Sequence, residues 1–215
     1  MTIASRFSEK DLVVICDRLS ERDPHLLQIL KDYGYPPFWS REVSFATLIH
    51  IILEQQVSLA SARAAFVKLK SYIGEITPEK VLLLSDEELK QCYFSRQKTK
   101  YAKCLAQAFV EESITLQQLI HSTDEEIRKI LTAVKGIGNW TVDVFLMMCL
   151  HSVDLFPFGD IALVNSLKHV KHLPSDTDRT YLESISEPWK PYRTVAAFML
   201  WHAYICRKKI VFESA

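Results

Sequence analysis

The amino-acid sequence predicts an all-α protein. Apolar residues recur three or four positions apart, the period of a helix, through most of the 215 residues. Glycine occurs only five times, and no Asn-Gly or Asp-Gly pair marks a β-hairpin. We therefore expect helices joined by short loops, without a sheet.

The starts of several helices are marked by capping residues. Ser85 with Glu88 fits a capping box, in which each side chain satisfies a backbone N–H at the start of a helix. Thr123 with Glu126 repeats the pattern, and Pro78 fits the first position of another helix. The helices are predicted near residues 8–20, 24–33, 43–55, 58–73, 78–84, 86–92, 96–111, 115–120, 124–134, 139–150, 160–170, 176–185 and 191–208.

The chain is long enough to bury a sizeable core. We expect one domain made of two closely apposed helical lobes with a cleft between them. The first lobe is predicted to combine residues 1–57 with 161–215, and the second to hold residues 58–160.

Composition argues against several classes of protein. No apolar run approaches the roughly 20 residues of a membrane span, and the N-terminus lacks the order of a signal peptide. The five cysteines form no Cys-X-X-Cys pair, so structural zinc, an iron–sulfur cluster and a disulfide framework are poorly supported. A cytosolic protein is expected.

The charges balance, with 26 lysines and arginines against 26 aspartates and glutamates. A zero net charge argues mildly against nucleic-acid binding, because many such proteins are basic, but charge can be unevenly distributed. Basic clusters occur at Arg207, Lys208 and Lys209, and at Lys168 and Lys171. Contacts to a polyanion are expected to be few and to be made partly by backbone amides.

The most informative segment runs from Leu131 to Val144, LTAVKGIGNWTVDV. Two apolar helical runs are joined there by a tight turn, Gly136-Ile137-Gly138, which leaves backbone N–H groups exposed where the second helix starts. These groups and the helix dipole favour an anion such as a phosphate of a nucleic-acid backbone. The same turn is compatible with a simple corner at which glycine permits close packing.

Asp160 follows Phe156-Pro157-Phe158-Gly159 and precedes an apolar helix. Aspartate is a favoured N-cap residue, which is the simplest interpretation of this position. A carboxylate held there could also stabilise an oxocarbenium-like sugar cation and orient water, as in glycoside hydrolysis. The two roles are compatible because a capping side chain is held rigidly.

Trp140 and Trp201 form the third candidate feature. Tryptophans are usually packing residues, but two indoles across a pocket could hold a flipped base between them. A base made cationic by alkylation would be attracted to the faces of the rings.

Four segments in order resemble the helix-hairpin-helix DNA glycosylase superfamily, specifically its 3-methyladenine DNA glycosylase II branch. The segments are IILEQQVS at 51–58, FSRQK at 94–98 with Tyr101, VKGIGNWT running on to DLFPFGD, and WKPYRT at 189–194 leading to Leu200-Trp201. The resemblance extends over residues 23–205, nearly the whole chain.

The resemblance implies chemical roles for three residues. Asp160 matches the catalytic aspartate of the family, and Trp201 matches a tryptophan of its base pocket. Trp140 occupies the position at which bifunctional relatives carry a lysine nucleophile, so no Schiff base can form there. A monofunctional glycosylase without lyase activity is therefore expected, and no cofactor is required.

The resemblance also implies contacts to DNA. Gln56 matches the residue that wedges into the duplex where the base leaves, and Gln55 beside it could contact DNA or brace the wedge. The hairpin residues expected to contact DNA are Gly136, Gly138 and Thr141. Similar hairpins often bind Na⁺ or K⁺ through backbone carbonyls, which here are those of Thr132, Val134 and Ile137.

The expected function is hydrolysis of the N-glycosidic bond of alkylated purines, of the 3-methyladenine and 7-methylguanine type, in duplex DNA. A monomer acting at the nucleoid, or in the nucleus of a eukaryote, is expected. Two alternatives stay open: a non-catalytic helix-hairpin-helix module that binds damaged DNA, and a glycosylase for oxidised or mismatched bases. The chain departs from the family pattern at Val144, Ile161 and Tyr93, where relatives can carry an aromatic, a tyrosine and a glycine, which leaves the range of bases open.

Other polar residues are weaker candidates. His169 and His172 have metal-like spacing without an evident third ligand, so a zinc site is not favoured. Glu54 could serve as an acid but ranks below Asp160, because a glutamate on a helix face is usually structural. Structural roles are also expected for His202, Asp143 and Arg193.

Overall fold

The computed structural model describes residues 5–210, and every regular element in that range is helical apart from one isolated bridge between Arg6 and Ser152. The all-α fold class is confirmed. The helices are α1 (Glu9–Arg22), α2 (Pro24–Tyr33), α3 (Phe45–Glu54), α4 (Leu59–Ile73), α5 (Pro78–Leu83), α6 (Asp86–Gln91), α7 (Arg96–Val110), α8 (Leu116–His121), α9 (Asp124–Thr132), α10 (Asn139–Met148), α11 (Ile161–Val170), α12 (Arg179–Ser186) and α13 (Arg193–Lys208), with a 3-10 turn at Glu187–Trp189. None of these helices is long and apolar enough to cross a membrane.

Capping residues set the helix starts as expected. Ser85 and Glu88 form the capping box of α6, and Thr123 and Glu126 form that of α9. Pro78 is the first residue of α5. Local side-chain chemistry therefore determines where these short helices begin.

One compact unit combines the residues up to Ser40 with those from His151 onward. Its central helix is α13, which packs against α1, α2 and α11 and is buried continuously from Thr194 to Trp201. Asp23 holds the 3-10 turn that precedes α13. Its carboxylate accepts a hydrogen bond from Trp189 Nε1 at 2.8 Å and pairs with Lys171 at 2.5 Å. This unit contains Asp160 and Trp201.

The other compact unit holds residues 41–150. Helix α3 packs against α4, α7 and α10 in this unit, because it is apolar on most of its surface and needs several neighbours. The sequence-based division placed this helix in the first lobe and residues 151–160 in the second. In the structure α3 belongs with the hairpin, and Asp154 belongs with α13 through its ion pair with Arg193.

Candidate active site

The hairpin is formed by α9, a short turn and α10. The turn closes where the N–H of Ile137 donates to the carbonyl of Val134 at 3.1 Å, and both side chains are buried. Gly138 is the N-cap of α10 with φ −102° and ψ 177°. The first turn of α10 therefore presents backbone N–H groups that have no acceptor within the helix.

The two glycines of the turn serve different purposes. Gly136 has φ 96°, and a Cβ placed on it would overlap the ring of Tyr101. Both the backbone conformation and the close approach to α7 therefore require glycine there. A Cβ on Gly138 would meet nothing within 4 Å, so the space in front of α10 is open to a ligand.

Gln55 braces the hairpin from the end of α3. Its side-chain amide donates to the carbonyl of Gly136 at 2.9 Å and to the hydroxyl of Thr141 at 3.0 Å. These contacts brace the hairpin, while the two roles expected for Gln55, contact with DNA and support of the wedge at Gln56, stay predictions. The side chain of Thr141 is only 1% exposed and accepts the hydrogen bond of the brace, so the contact to DNA expected of this residue stays a prediction for its backbone N–H.

Gln56 lies on the exposed turn between α3 and α4 in a left-handed conformation, with φ 56°. This conformation is uncommon for a residue other than glycine and costs on the order of 1–2 kcal/mol. Strained, exposed residues of this kind are concentrated at functional sites. The geometry suits a side chain that must project from the surface.

Tyr93 has the same unusual backbone, with φ 65°, and its side chain is 65% exposed. Glycine adopts a positive φ without strain, which agrees with the glycine that the family resemblance leads one to expect at this position. In the sequence, Tyr93 stands out only as a departure from the family pattern. The close approach of Tyr101 to Gly136 could not be predicted from the sequence, because no local pattern joins the two residues.

Asp160 is the N-cap of α11, as its sequence context predicts. Its Oδ1 accepts from the backbone N–H of Leu163 at 2.8 Å and from Nε1 of Trp201 at 3.3 Å. Its own N–H donates to the carbonyl of Pro157 at 2.8 Å, so backbone and side chain are both held. A rigid, half-buried carboxylate is the arrangement that electrostatic stabilisation of a cation requires.

The two tryptophans occur in different compact units. Trp201 lies edge-on to Trp39, with ring centroids 6.4 Å apart, and only 9% of it is exposed. Its clearest contribution is therefore the N–H that holds Asp160. Trp140 is half-buried and is the second residue of α10, directly after the hairpin turn.

The carbonyls proposed for a cation lie at the end of α9 and in the turn. Thr132 is the last residue of α9, where carbonyls lack partners within the helix. The carbonyl of Val134 accepts one hydrogen bond and keeps a second lone pair. Oxygens at the negative end of a helix dipole attract cations, and a Na⁺ or K⁺ ion at this set stays a prediction.

The remaining polar candidates have structural partners. Asp143 accepts from Arg128 at 2.5 Å, an ion pair that joins α10 to α9, and burial raises the pKa of its carboxyl against the opposing effect of the guanidinium. The other contacts are Glu54 with Arg41 at 2.7 and 2.9 Å, Arg193 with Asp154 at 2.7 and 2.9 Å, and His202 Nε2 with the carbonyl of Tyr33 at 3.0 Å.

An all-helical fold with a hairpin of this geometry defines a helix-hairpin-helix protein. The model of the HhH-GPD superfamily of base excision DNA repair proteins matches residues 49–191. The chain belongs to this superfamily, which confirms the resemblance seen in the four sequence segments.

Relatives with known names agree. The chain is 30% identical to DNA-3-methyladenine glycosylase 1 of Schizosaccharomyces pombe over 187 residues, which are 85% of this chain and 82% of that protein. A structure of 3-methyladenine DNA glycosylase from this yeast in complex with abasic DNA matches with a TM-score of 0.80 and 30% identity, over 87% of this chain and 95% of the other. The DNA-3-methyladenine glycosidase of Bacillus halodurans matches with a TM-score of 0.73 and 27% identity, over 95% and 94%.

Proposed function

We propose that this protein is a monofunctional DNA glycosylase that hydrolyses the N-glycosidic bond of alkylated purines in duplex DNA, acting as a monomer. The observation that carries the proposal is the rigid carboxylate of Asp160, held by the N–H groups of Leu163 and Trp201. Membership of a base excision repair superfamily and the names of its relatives support the same assignment.

The chemistry follows from the charge of the substrate. When the C1′–N bond breaks, its electron pair moves onto the base, so a cationic methylated purine leaves as a neutral molecule. The sugar becomes an oxocarbenium-like cation, which the carboxylate of Asp160 stabilises. Water then adds to C1′ and its proton passes through the carboxylate to solvent. Little acid catalysis is needed, so one carboxylate can suffice.

DNA binding is assigned to the hairpin and to Gln56. The backbone N–H groups at the start of α10, including the open face of Gly138, hold a phosphate. Gln56 fills the space that the flipped base leaves. Trp140 and Trp201 are each assigned a contact with the flipped base, and Trp140 offers no amine for a Schiff base.

The carbonyls of Thr132, Val134 and Ile137 would hold a Na⁺ or K⁺ ion in the hairpin. A bound cation would supply positive charge next to the phosphate site. It would take no part in breaking the N-glycosidic bond. The chain's own amides would make the direct contact to DNA.

The decisive experiment measures release of 3-methyladenine and 7-methylguanine from methylated duplex DNA by the wild-type protein and by Asp160→Asn. Asparagine is also a good N-cap, so the substitution removes charge while α11 stays capped. Asp178→Asn is the matched control, because Asp178 caps α12 in the same compact unit. Release should be lost only in Asp160→Asn.

The other outcomes are equally informative. Undiminished release by Asp160→Asn would exclude the proposed mechanism. Binding of damaged duplex without release by the wild-type protein would indicate the non-catalytic module. Release of only oxidised or mismatched bases from a panel of lesions would change the substrate class. Quenching the same reactions with borohydride should trap no covalent adduct with DNA, and an adduct would contradict monofunctionality.

A further inference from the structure

A basic stripe runs along α7 beside the hairpin. Arg96, Lys100 and Lys103 are four and three positions apart, so they lie on the same side of this helix. They line a groove of about 420 Å³ together with Asp86. The net charge of the protein is zero, so a local cluster of this kind is a departure from the average surface.

The hairpin adds a fourth cation to the stripe. Gly136 lies against the ring of Tyr101, which brings Lys135 next to Lys100. The charge of Lys135 is therefore close enough to act on Lys100. This proximity lowers the pKa of Lys100, and Arg96 adds a smaller contribution in the same direction. Two ammonium groups are both donors, so the pair lacks an acceptor.

The cations of the stripe differ in their partners. Lys103 pairs with Asp86 at 2.6 Å and is neutralised. Within residues 5–210, no carboxylate forms an ion pair with Arg96, Lys100 or Lys135. An anion placed between Lys100 and Lys135 would supply the missing acceptor and remove their mutual repulsion.

We propose that Lys100 and Lys135 clamp a second phosphate of the DNA backbone, next to the phosphate held by the hairpin amides, with Arg96 extending the contact. This inference rests on the proposed function, because it takes the anion to be a phosphodiester of bound duplex. The hairpin is the element that delivers Lys135, so one docking event would engage both phosphates. Two cations acting on one backbone read no base, and the clamp is therefore independent of sequence.

The test is the salt dependence of DNA binding. The affinity for a duplex carrying a tetrahydrofuran abasic analogue is measured between about 50 and 200 mM salt, because each phosphate contact contributes roughly −0.9 to the slope of log K against log salt. The variants are Lys100→Gln, Lys135→Gln and the double variant. Lys103→Gln is the matched control, since it removes the same charge from the groove that Lys100 lines.

We expect each single variant to make the slope shallower by about 0.5 to 0.9, and the double variant by at least the larger single effect. The control should leave the slope unchanged. Thermal unfolding should be unaltered in Lys100→Gln and Lys135→Gln, because both residues are exposed, and should change little in Lys103→Gln, which loses an ion pair with an exposed carboxylate. An unchanged slope in Lys100→Gln and Lys135→Gln, or an equal change in Lys103→Gln, would overturn the clamp.

Two further measurements are needed. They distinguish free phosphate from a DNA phosphodiester as the anion, and they distinguish failure of the clamp from failure of the proposed glycosylase function. The first is competition between inorganic phosphate and duplex. If phosphate competes equally well for the wild-type protein and for the double variant, that result would also count against the clamp. Base release by the wild-type protein tests the proposed function independently. Release with an unchanged slope rejects the clamp alone, whereas a changed slope without release rejects glycosylase activity and keeps the phosphate site.

Discussion

The indole N–H of Trp201 donates to Oδ1 of Asp160 over 3.3 Å, and so ties α13 to the start of α11. The same oxygen accepts from the backbone of Leu163, which leaves the carboxylate little freedom to rotate. Trp201 is thus a positioning residue for the proposed catalytic carboxylate as well as a candidate wall of the base pocket.

Trp201→Phe should slow base release more than it weakens DNA binding. The substitution keeps most of the buried ring and removes the N–H, a contact worth about 1 kcal/mol, so kcat should fall about fivefold. Trp39→Phe is the control, because Trp39 packs edge-on against Trp201. Single-turnover release and the affinity for abasic duplex separate the two effects. An equal loss of rate in both variants would indicate packing rather than the hydrogen bond.

Gly136 and Gly138 should respond in opposite ways to substitution. Gly136→Ala places a Cβ against the ring of Tyr101 at a positive φ, and should cost about 2–4 kcal/mol of unfolding free energy. Gly138→Ser improves the N-cap of α10 and should stabilise it by a few tenths of a kcal/mol. It should nevertheless weaken DNA binding about tenfold, because the side chain occupies the space proposed for phosphate.

Urea unfolding of both variants measures the two changes in stability, and binding to abasic duplex measures the change in DNA affinity. Full DNA affinity in Gly138→Ser would show that phosphate does not approach this face of the turn. A Gly136→Ala variant as stable as the wild type would show that the hairpin can move away from Tyr101.

The brace between Gln55 and Thr141 should appear as energetic coupling. Gln55→Ala leaves the Gly136 carbonyl and the Thr141 hydroxyl without this donor, and should cost about 1–3 kcal/mol. Thr141→Val removes only the hydroxyl. A double-mutant cycle by urea unfolding should give a coupling energy of at least about 0.5 kcal/mol, and strict additivity would show that the contact contributes nothing.

The fold could be predicted from the sequence to a greater extent than the site. Helix starts depend on residues three positions apart, such as Ser85 and Glu88, so a local pattern is sufficient. The contacts that build the site join distant positions: Gln55 and Gly136 are 81 residues apart, and Asp160 and Trp201 are 41 apart. A single sequence contains no signal for such pairs, so Asp160 and Trp201 were each identifiable as candidates while the contact between them was not.

The backbone strain at Gln56 should be separable from its function. Its φ of 56° is costly for glutamine but free for glycine, so Gln56→Gly should raise the free energy of unfolding by about 0.5–1 kcal/mol. The same variant loses the side chain proposed to fill the space of the flipped base, so base release should slow at least tenfold.

Gln56→Asn is the matched control, because asparagine tolerates the left-handed region and keeps an amide, and it should retain more activity than the glycine variant. Stability by urea unfolding and single-turnover release from methylated duplex should therefore move in opposite directions in Gln56→Gly. Unchanged release would show that the strained turn has no part in extruding the base, while a loss of stability would mean that contacts of the Gln56 side chain outweigh the cost of its backbone.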